Sequence, residues 1–192
     1  MSTLLESFLI AQKTLNDFID DKNNIERIEK LSTELAKCFE NNGKSIIFGN
    51  GGSACDAAHF AEEFTGRFRG DRKALPVIAY NDASHITCVA NDYGFEDIFA
   101  RPTEAFCQKG DVVIGLSTSG NSANVINAME VAKKKGATTV ALIGKDGGKM
   151  KGEYDFEWVI PGETSDRIQE IHMMILHILI EGVERILFPG NY

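Results

Sequence analysis

The chain has 192 residues, 43% hydrophobic and 25% charged, and its 20 Lys and Arg against 28 Asp and Glu leave a formal net charge of −8 at pH 7. That balance fits an ordinary globular domain and argues against a nucleic-acid footprint, since phosphate backbones reward clustered cations. No run approaches the roughly 20 apolar residues of a membrane span, and the N-terminal stretch does not read as a secretory leader. The four cysteines (Cys38, Cys55, Cys88 and Cys107) form no C-x-x-C pair, so a reducing, cytoplasmic setting is expected.

Residues 3–21 and 24–41 repeat apolar side chains every three or four positions (Leu4, Phe8, Ile10, Leu15, Phe18; Ile28, Leu31, Leu35, Phe39), which predicts two amphipathic helices. "SIIFG" (45–49) reads as a buried strand, followed by a loop and a helix over 52–66. "LPVIAY" (75–80) is a second strand, with a short helix in "DASHITCVAND" (82–92). "DVVIGLS" (111–117), "TTVALIG" (138–144) and "FEWVIP" (156–161) complete five strands, with a helix over 122–135 between the first two. The basic run Lys133-Lys134-Lys135 suits the end of that helix, where cations meet the negative pole of the dipole. A last helix spans about 165–187 and stops before Pro189-Gly190. Strands alternating with helices predict one α/β domain over 1–192: a doubly wound, three-layer sandwich around a five-stranded parallel sheet. Ligands of such sheets bind beyond the carboxyl ends of the strands.

Two loops sit at such ends. "GNGGS" (49–53) precedes one helix, and "STSGNS" (117–122) offers four hydroxyls and a glycine before another. Helix N-termini present unpaired N–H groups and positive potential to a phosphate. A plain N-cap needs only one such residue, so the excess of hydroxyls points to an anion cradle. Gly49, Gly51 and Ala54 also satisfy G-x-G-x-x-A, a permissive dinucleotide pattern. The acidic partner expected about 20 residues on is poorly placed, because position 69 is Arg69 and Asp82 comes late. A Walker lysine is missing, so nucleotide binding is the minor expectation.

On the helix leaving the first loop, His59, Glu62 and Glu63 fall on one face. An i, i+4 histidine–glutamate pair suits two ligands of one metal or an acid–base couple. The last helix holds Gln169, His172 and His177 among Ile168, Ile171, Ile175, Leu176, Leu179 and Ile180. A histidine in so apolar a helix is commonly a satisfied core group, yet three of the four histidines share these two helices.

The blocks "GNGGSACDAAHFAEEFTGRFR", "NDYGFEDIFARPTEAF", "GDVVIGLSTSGNSANVINAM", "LIGKDGGKM" and "DRIQEIHMMILHILI" occur in that order. Together they resemble the phosphoheptose isomerases of the sugar isomerase (SIS) fold family, from residue 2 to about 187. The resemblance implies a flavodoxin-like SIS sheet with an N-terminal helical extension (1–42) that packs on the domain and on neighbouring subunits of a homotetramer. It implies an aldose–ketose isomerase that converts D-sedoheptulose 7-phosphate to D-glycero-D-manno-heptose 7-phosphate, the first step toward nucleotide-activated heptose for lipopolysaccharide or another glycan. Implied substrate contacts are Asn50, Gly51, Gly52, Ser53, Glu63, Asn91, Asp92, Ser117, Thr118, Ser119, Ser122, Asp166 and Gln169, with Arg67 as a further candidate. Glu63 falls on the catalytic base and His177 on the partner acid. His59, Glu63, Gln169 and His177 match the zinc-binding positions of metal-containing members, and the resemblance implies no nucleotide or redox cofactor. Pro102 departs from the family's usual wording, away from these positions. The competing expectations are a non-catalytic scaffold, similar to the DnaA initiator-associating protein, and an isomerase of a different sugar phosphate.

Eight residues separate Gln169 from His177, about 12 Å along a helix at 1.5 Å per residue. A zinc ligand bond is only about 2 Å. One straight helix therefore does not bring both side chains to one ion, and the site is expected between subunits.

Overall fold

The computed structural model describes residues 3–192. Two helices of similar length, α1 (Thr3–Asp20) and α2 (Lys22–Glu40), lead into β1 (Ser45–Gly49) and α3 (Gly52–Thr65). Then follow β2 (Val77–Ala79), α4 (Ala83–Asp92), α5 (Ala100–Phe106), β3 (Val112–Ser117) and α6 (Ala123–Lys135). The chain ends with β4 (Thr138–Gly144), β5 (Phe156–Ile160) and α7 (Ser165–Leu187), with short 3₁₀ turns between some elements. All five strands pair in parallel, in the order β2-β1-β3-β4-β5.

Both faces of the sheet are covered, which is why the central strands read as unbroken apolar runs. Alternate residues serve opposite layers. Ile47, Ile114 and Leu142 pack with α2, α3 and α7 through Leu31, Phe60, Phe64 and Leu179. Ile46, Phe48, Val113 and Ile143 pack with α4–α6 through Val89, Phe99, Val125 and Met129.

Four features refine the sequence reading. β2 covers only Val77–Ala79 instead of 75–80, since Pro76 has no N–H to give the ladder. "ARPTEAF" forms α5, with Pro102 in the first turn, where its missing donor costs nothing. Asp82 is an N-cap, accepting the His85 N–H at 2.7 Å. The apolar stripe of α1 is buried at Phe18 only, while Leu4 (74% exposed) and Phe8 (75%) face outward. The lysine run lies in the last turn of α6 as expected, ahead of Gly136 in the left-handed conformation.

The chain reverses its direction of winding between β1 and β3, which are neighbours with Gly49 opposite Leu116. α3 leaves β1 toward one face, and α6 leaves β3 toward the other. The two predicted anion loops therefore flank a switch-point crevice at the strand C-termini.

Candidate active site

The glycine loop is shaped by steric limits. Gly51 adopts φ +56° at the N-cap of α3 without any side-chain cap, a conformation that favours glycine. A Cβ on Gly49 would meet the Ser53 Cβ at 2.7 Å, and one on Gly52 would meet the Gln169 side chain at 2.6 Å. Gln169 donates through Nε2 to the Ser53 hydroxyl at 3.3 Å, so α7 begins against this loop. The backbone here comes as close to its surroundings as only glycine allows.

In the serine loop, Ser122 occupies the N-cap of α6 but its hydroxyl does not cap the helix. It pairs instead with the buried Ser117 hydroxyl at 2.9 Å. Thr118 pairs with Ser165 at 3.1 Å, and Ser119 accepts the Asn121 N–H at 3.2 Å. Simple capping does not account for these hydroxyls. Gly120 has φ +63°, and a Cβ there would lie 1.9 Å from the Gly147 carbonyl oxygen. The "KDGGK" turn thus packs on the loop, with the Lys149 N–H donating to Asn121 Oδ1 at 3.2 Å and the Met150 N–H to the Gly120 carbonyl at 3.1 Å.

A second cluster forms where the C-terminal part of α3 meets α7. His59 Nε2 stands 3.3 Å from Glu63 Oε1, and His177 Nε2 stands 3.6 Å from Glu63 Oε2. The two imidazoles meet edge to face, 5.1 Å between centroids, and Phe68 stacks on His177 at 6.0 Å. Glu63 Oε2 is buried without a hydrogen-bond partner. The ligand atoms of His59, Glu63 and His177 all lie within 4.8 Å of one another. Tetrahedral zinc with bonds near 2 Å spaces its ligand atoms by about 3.3 Å. One unpartnered carboxylate oxygen between two imidazoles fits that donor set. Glu62 stays outside it, 68% exposed and 4.0 Å from His59.

Arg72 holds this end of α3 to α7. Its guanidinium donates to the Glu63 and Phe64 carbonyls at 2.6 and 2.7 Å and to Glu184 Oε1 at 2.8 Å. The two side chains are 1% and 0% exposed, and the Tyr192 hydroxyl donates to the second Glu184 oxygen at 2.9 Å.

His172 belongs to none of this. It is fully buried, with Nε2 at 3.2 Å from the Ile143 carbonyl and Nδ1 without a partner. Burial pushes its pKa down from 6.5 to about 4, against the opposing pull of that carbonyl. Below the unfolded value the denatured chain takes up a proton that the native state refuses, so stability is lost as pH falls from about 6.5 toward 4. Between pH 7 and pH 5 the loss from this group is about 2 kcal/mol. Urea unfolding of His172→Gln at both pH values is expected to show a correspondingly smaller acid loss than the parent. An equal loss in both proteins would remove His172 as its source.

Residues 11–144 match the SIS domain family model. The chain is 60% identical over 189 residues to the phosphoheptose isomerase of Fusobacterium nucleatum, covering 98% of this chain and 97% of that protein. The chain belongs to the phosphoheptose isomerase family. Among solved structures, the phosphoheptose isomerase of Neisseria gonorrhoeae superposes with a TM-score of 0.88 at 34% identity, covering 95% of this chain and 97% of that one. The enzyme from Francisella tularensis gives 0.87 at 32% identity, covering 96% and 100%.

Of the positions expected at a phosphoheptose isomerase site, one copy of the chain gathers two separate groups. Asn50, Gly51, Gly52, Ser53, Ser117, Thr118, Ser119, Ser122 and Gln169 surround the crevice. His59, Glu63 and His177 lie further along α3 and at the middle of α7. Ser53 and Glu63 are ten residues apart on α3, about 15 Å along the axis. Asn91 and Asp92 are exposed at the end of α4, where the Asn91 amide donates to Asp92 at 2.8 Å. Asp166 is exposed at the start of α7, and hydrogen bonds from Thr164 and Arg167 hold its carboxyl below the usual range. Arg67 is exposed. Sequence reasoning passed over Phe68, Arg72, Asn124 and Glu184, whose roles rest on contacts across the fold and leave no local pattern.

Proposed function

We propose that the chain isomerises D-sedoheptulose 7-phosphate to D-glycero-D-manno-heptose 7-phosphate in the cytoplasm, at sites each completed by a second copy. The observation that carries this reading is the Glu63 carboxylate, only 13% exposed, held between two imidazoles. Its family supplies the substrate class. The glycine and serine loops would grip the phosphorylated sugar through backbone N–H groups and hydroxyls, holding the reacting carbons in register with the base. Glu63 would take the proton from C1 and return it to C2, so that one carboxylate serves both transfers and no net oxidation occurs. His177, beside Glu63 Oε2, would move the proton between the O1 and O2 hydroxyls of the enediol. Zinc held by His59, Glu63, His177 and a Gln169 would supply Lewis-acid polarisation of the carbonyl oxygen.

The separation of the two groups supports assembly from different copies, with Gln169 and the loops of one meeting His59, Glu63 and His177 of another. Leu4, Phe8 and Ile10 of α1 and Ile178 and Ile186 of α7 are exposed apolar side chains, suited to the interfaces of a homotetramer. Purified protein is expected to convert sedoheptulose 7-phosphate to the aldose. Gln169→Ala and Glu63→Gln should each be nearly inactive. Their co-expressed, co-purified mixture should regain roughly a quarter of parental activity, the statistical share of intact sites in a symmetric assembly. Absence of any regain, with both variants assembled, would return the whole site to a single chain.

A further inference from the structure

We propose that Asn124 is a positioning residue for the substrate crevice, acting through Asn50 to hold the glycine loop at a set distance from the serine loop. The proposal rests on the sugar-phosphate reading for the class of ligand. The two loops leave neighbouring strands, but their helices depart to opposite faces of the sheet, so no covalent connection sets the width between them. A reciprocal carboxamide pair spans it. Asn50 Nδ2 donates to Asn124 Oδ1 at 2.9 Å, and Asn124 Nδ2 donates to Asn50 Oδ1 at 2.8 Å. Among the described residues, no other side-chain hydrogen bond joins residues 49–53 to residues 117–124.

Asn124 has the features of a fixed anchor. It is 3% exposed in the first turn of α6, and its Oδ1 also accepts the Val125 N–H at 2.9 Å. A purely local role in the helix start would use that oxygen alone. The Nδ2 group, aimed across the crevice, serves Asn50. Both amide planes are fixed by the pair, leaving Asn50 one N–H and one lone pair. Buried as it is, Asn124 itself touches no ligand. The ligand affected is a phosphorylated polyol long enough to run from the serine loop to the glycine loop. Inorganic phosphate, which needs the serine loop only, is not.

A double-mutant cycle tests this, with dissociation constants for sedoheptulose 7-phosphate and inorganic phosphate measured by calorimetry. Asn50→Ala and Asn124→Ala are each expected to weaken sugar-phosphate binding about tenfold. The double variant should also lose about tenfold and not a hundredfold, because both changes break one unit. Phosphate affinity should change less than about twofold in Asn124→Ala. Additive losses, or a parallel loss of phosphate affinity, would overturn the proposal in favour of a general support of α6. Should Asn124→Ala not fold, Asn124→Asp keeps the acceptor for the Val125 N–H and sets a carboxylate oxygen against Asn50 Oδ1, and its cycle with Asn50→Ala is read the same way. A parent protein that binds the sugar phosphate without turning it over refutes the isomerase reading and leaves the cycle readable.

Discussion

Glu63→Gln is expected to lower kcat by about 10²- to 10⁴-fold, the usual contribution of a general base, while the melting temperature stays within a few degrees of the parent. The amide is nearly the same size and can still sit between His59 and His177, so packing against α7 survives. It has no lone-pair-rich, charged oxygen to take a proton from carbon. At the proposed zinc site the same variant is expected to take up less added zinc than the parent on elemental analysis, since Oε2 is the buried oxygen without a partner and a neutral amide is the poorer ligand. His177→Ala should also reduce kcat, and its effect should not add fully to that of Glu63→Gln, because the two side chains would serve one and the same enediol. Parental turnover in both variants would rule out this acid–base assignment.

Glu184→Ala is expected to cost about 3–5 kcal/mol of stability, because it strands a buried guanidinium. Arg72 would keep its bonds to the Glu63 and Phe64 carbonyls but lose its charge partner, and the Tyr192 hydroxyl would lose its acceptor. For a chain of this size that corresponds to a fall in Tm of roughly 10 °C, read at fixed protein concentration. Glu184→Gln, which keeps an acceptor for Arg72 and the shape of the side chain, should lose about half as much. If Glu184→Ala melts with the parent, the pair contributes nothing and Arg72 is held by the α3 carbonyls alone. The site is coupled to this result. Arg72 ties the Glu63 backbone to the helix that bears His177, so the damaged protein should also bind zinc more weakly at temperatures where it remains folded.

Much of the fold was legible because its signals are local. β1, β3 and β4 are covered on both faces, so they appear as continuous apolar runs of strand length. Helix ends carried their own marks, such as Pro189-Gly190 after α7. α5 was not legible, because a seven-residue segment containing Pro102 carries no periodicity long enough to read. α1 was legible as a helix, and most of its apolar stripe lies outside the core. A 3.6-residue apolar stripe shows that one face seeks cover, and does not say whether the same chain supplies it.

The site divides along the same line. The surplus of hydroxyls in "STSGNS", the glycines of "GNGGS" and the i, i+4 spacing of His59 and Glu63 were visible from residues alone, since each is a pattern within one loop or one helix. His172 and His177 looked alike in sequence, both set in an apolar helix. Five residues along α7 turn them about 140° apart, and only the packing decided that one meets the Ile143 carbonyl in the core while the other meets Glu63. The Asn50–Asn124 bridge joins residues 74 apart and the Arg72–Glu184 pair residues 112 apart. No periodicity links such positions. Propensity and burial pattern act over a few residues, so most strands and helices, and the two loops proposed to bind the sugar phosphate, are marked locally in the chain. Tertiary structure alone decided which side chains face one another, because that depends on which helix faces pack together once the sheet is covered.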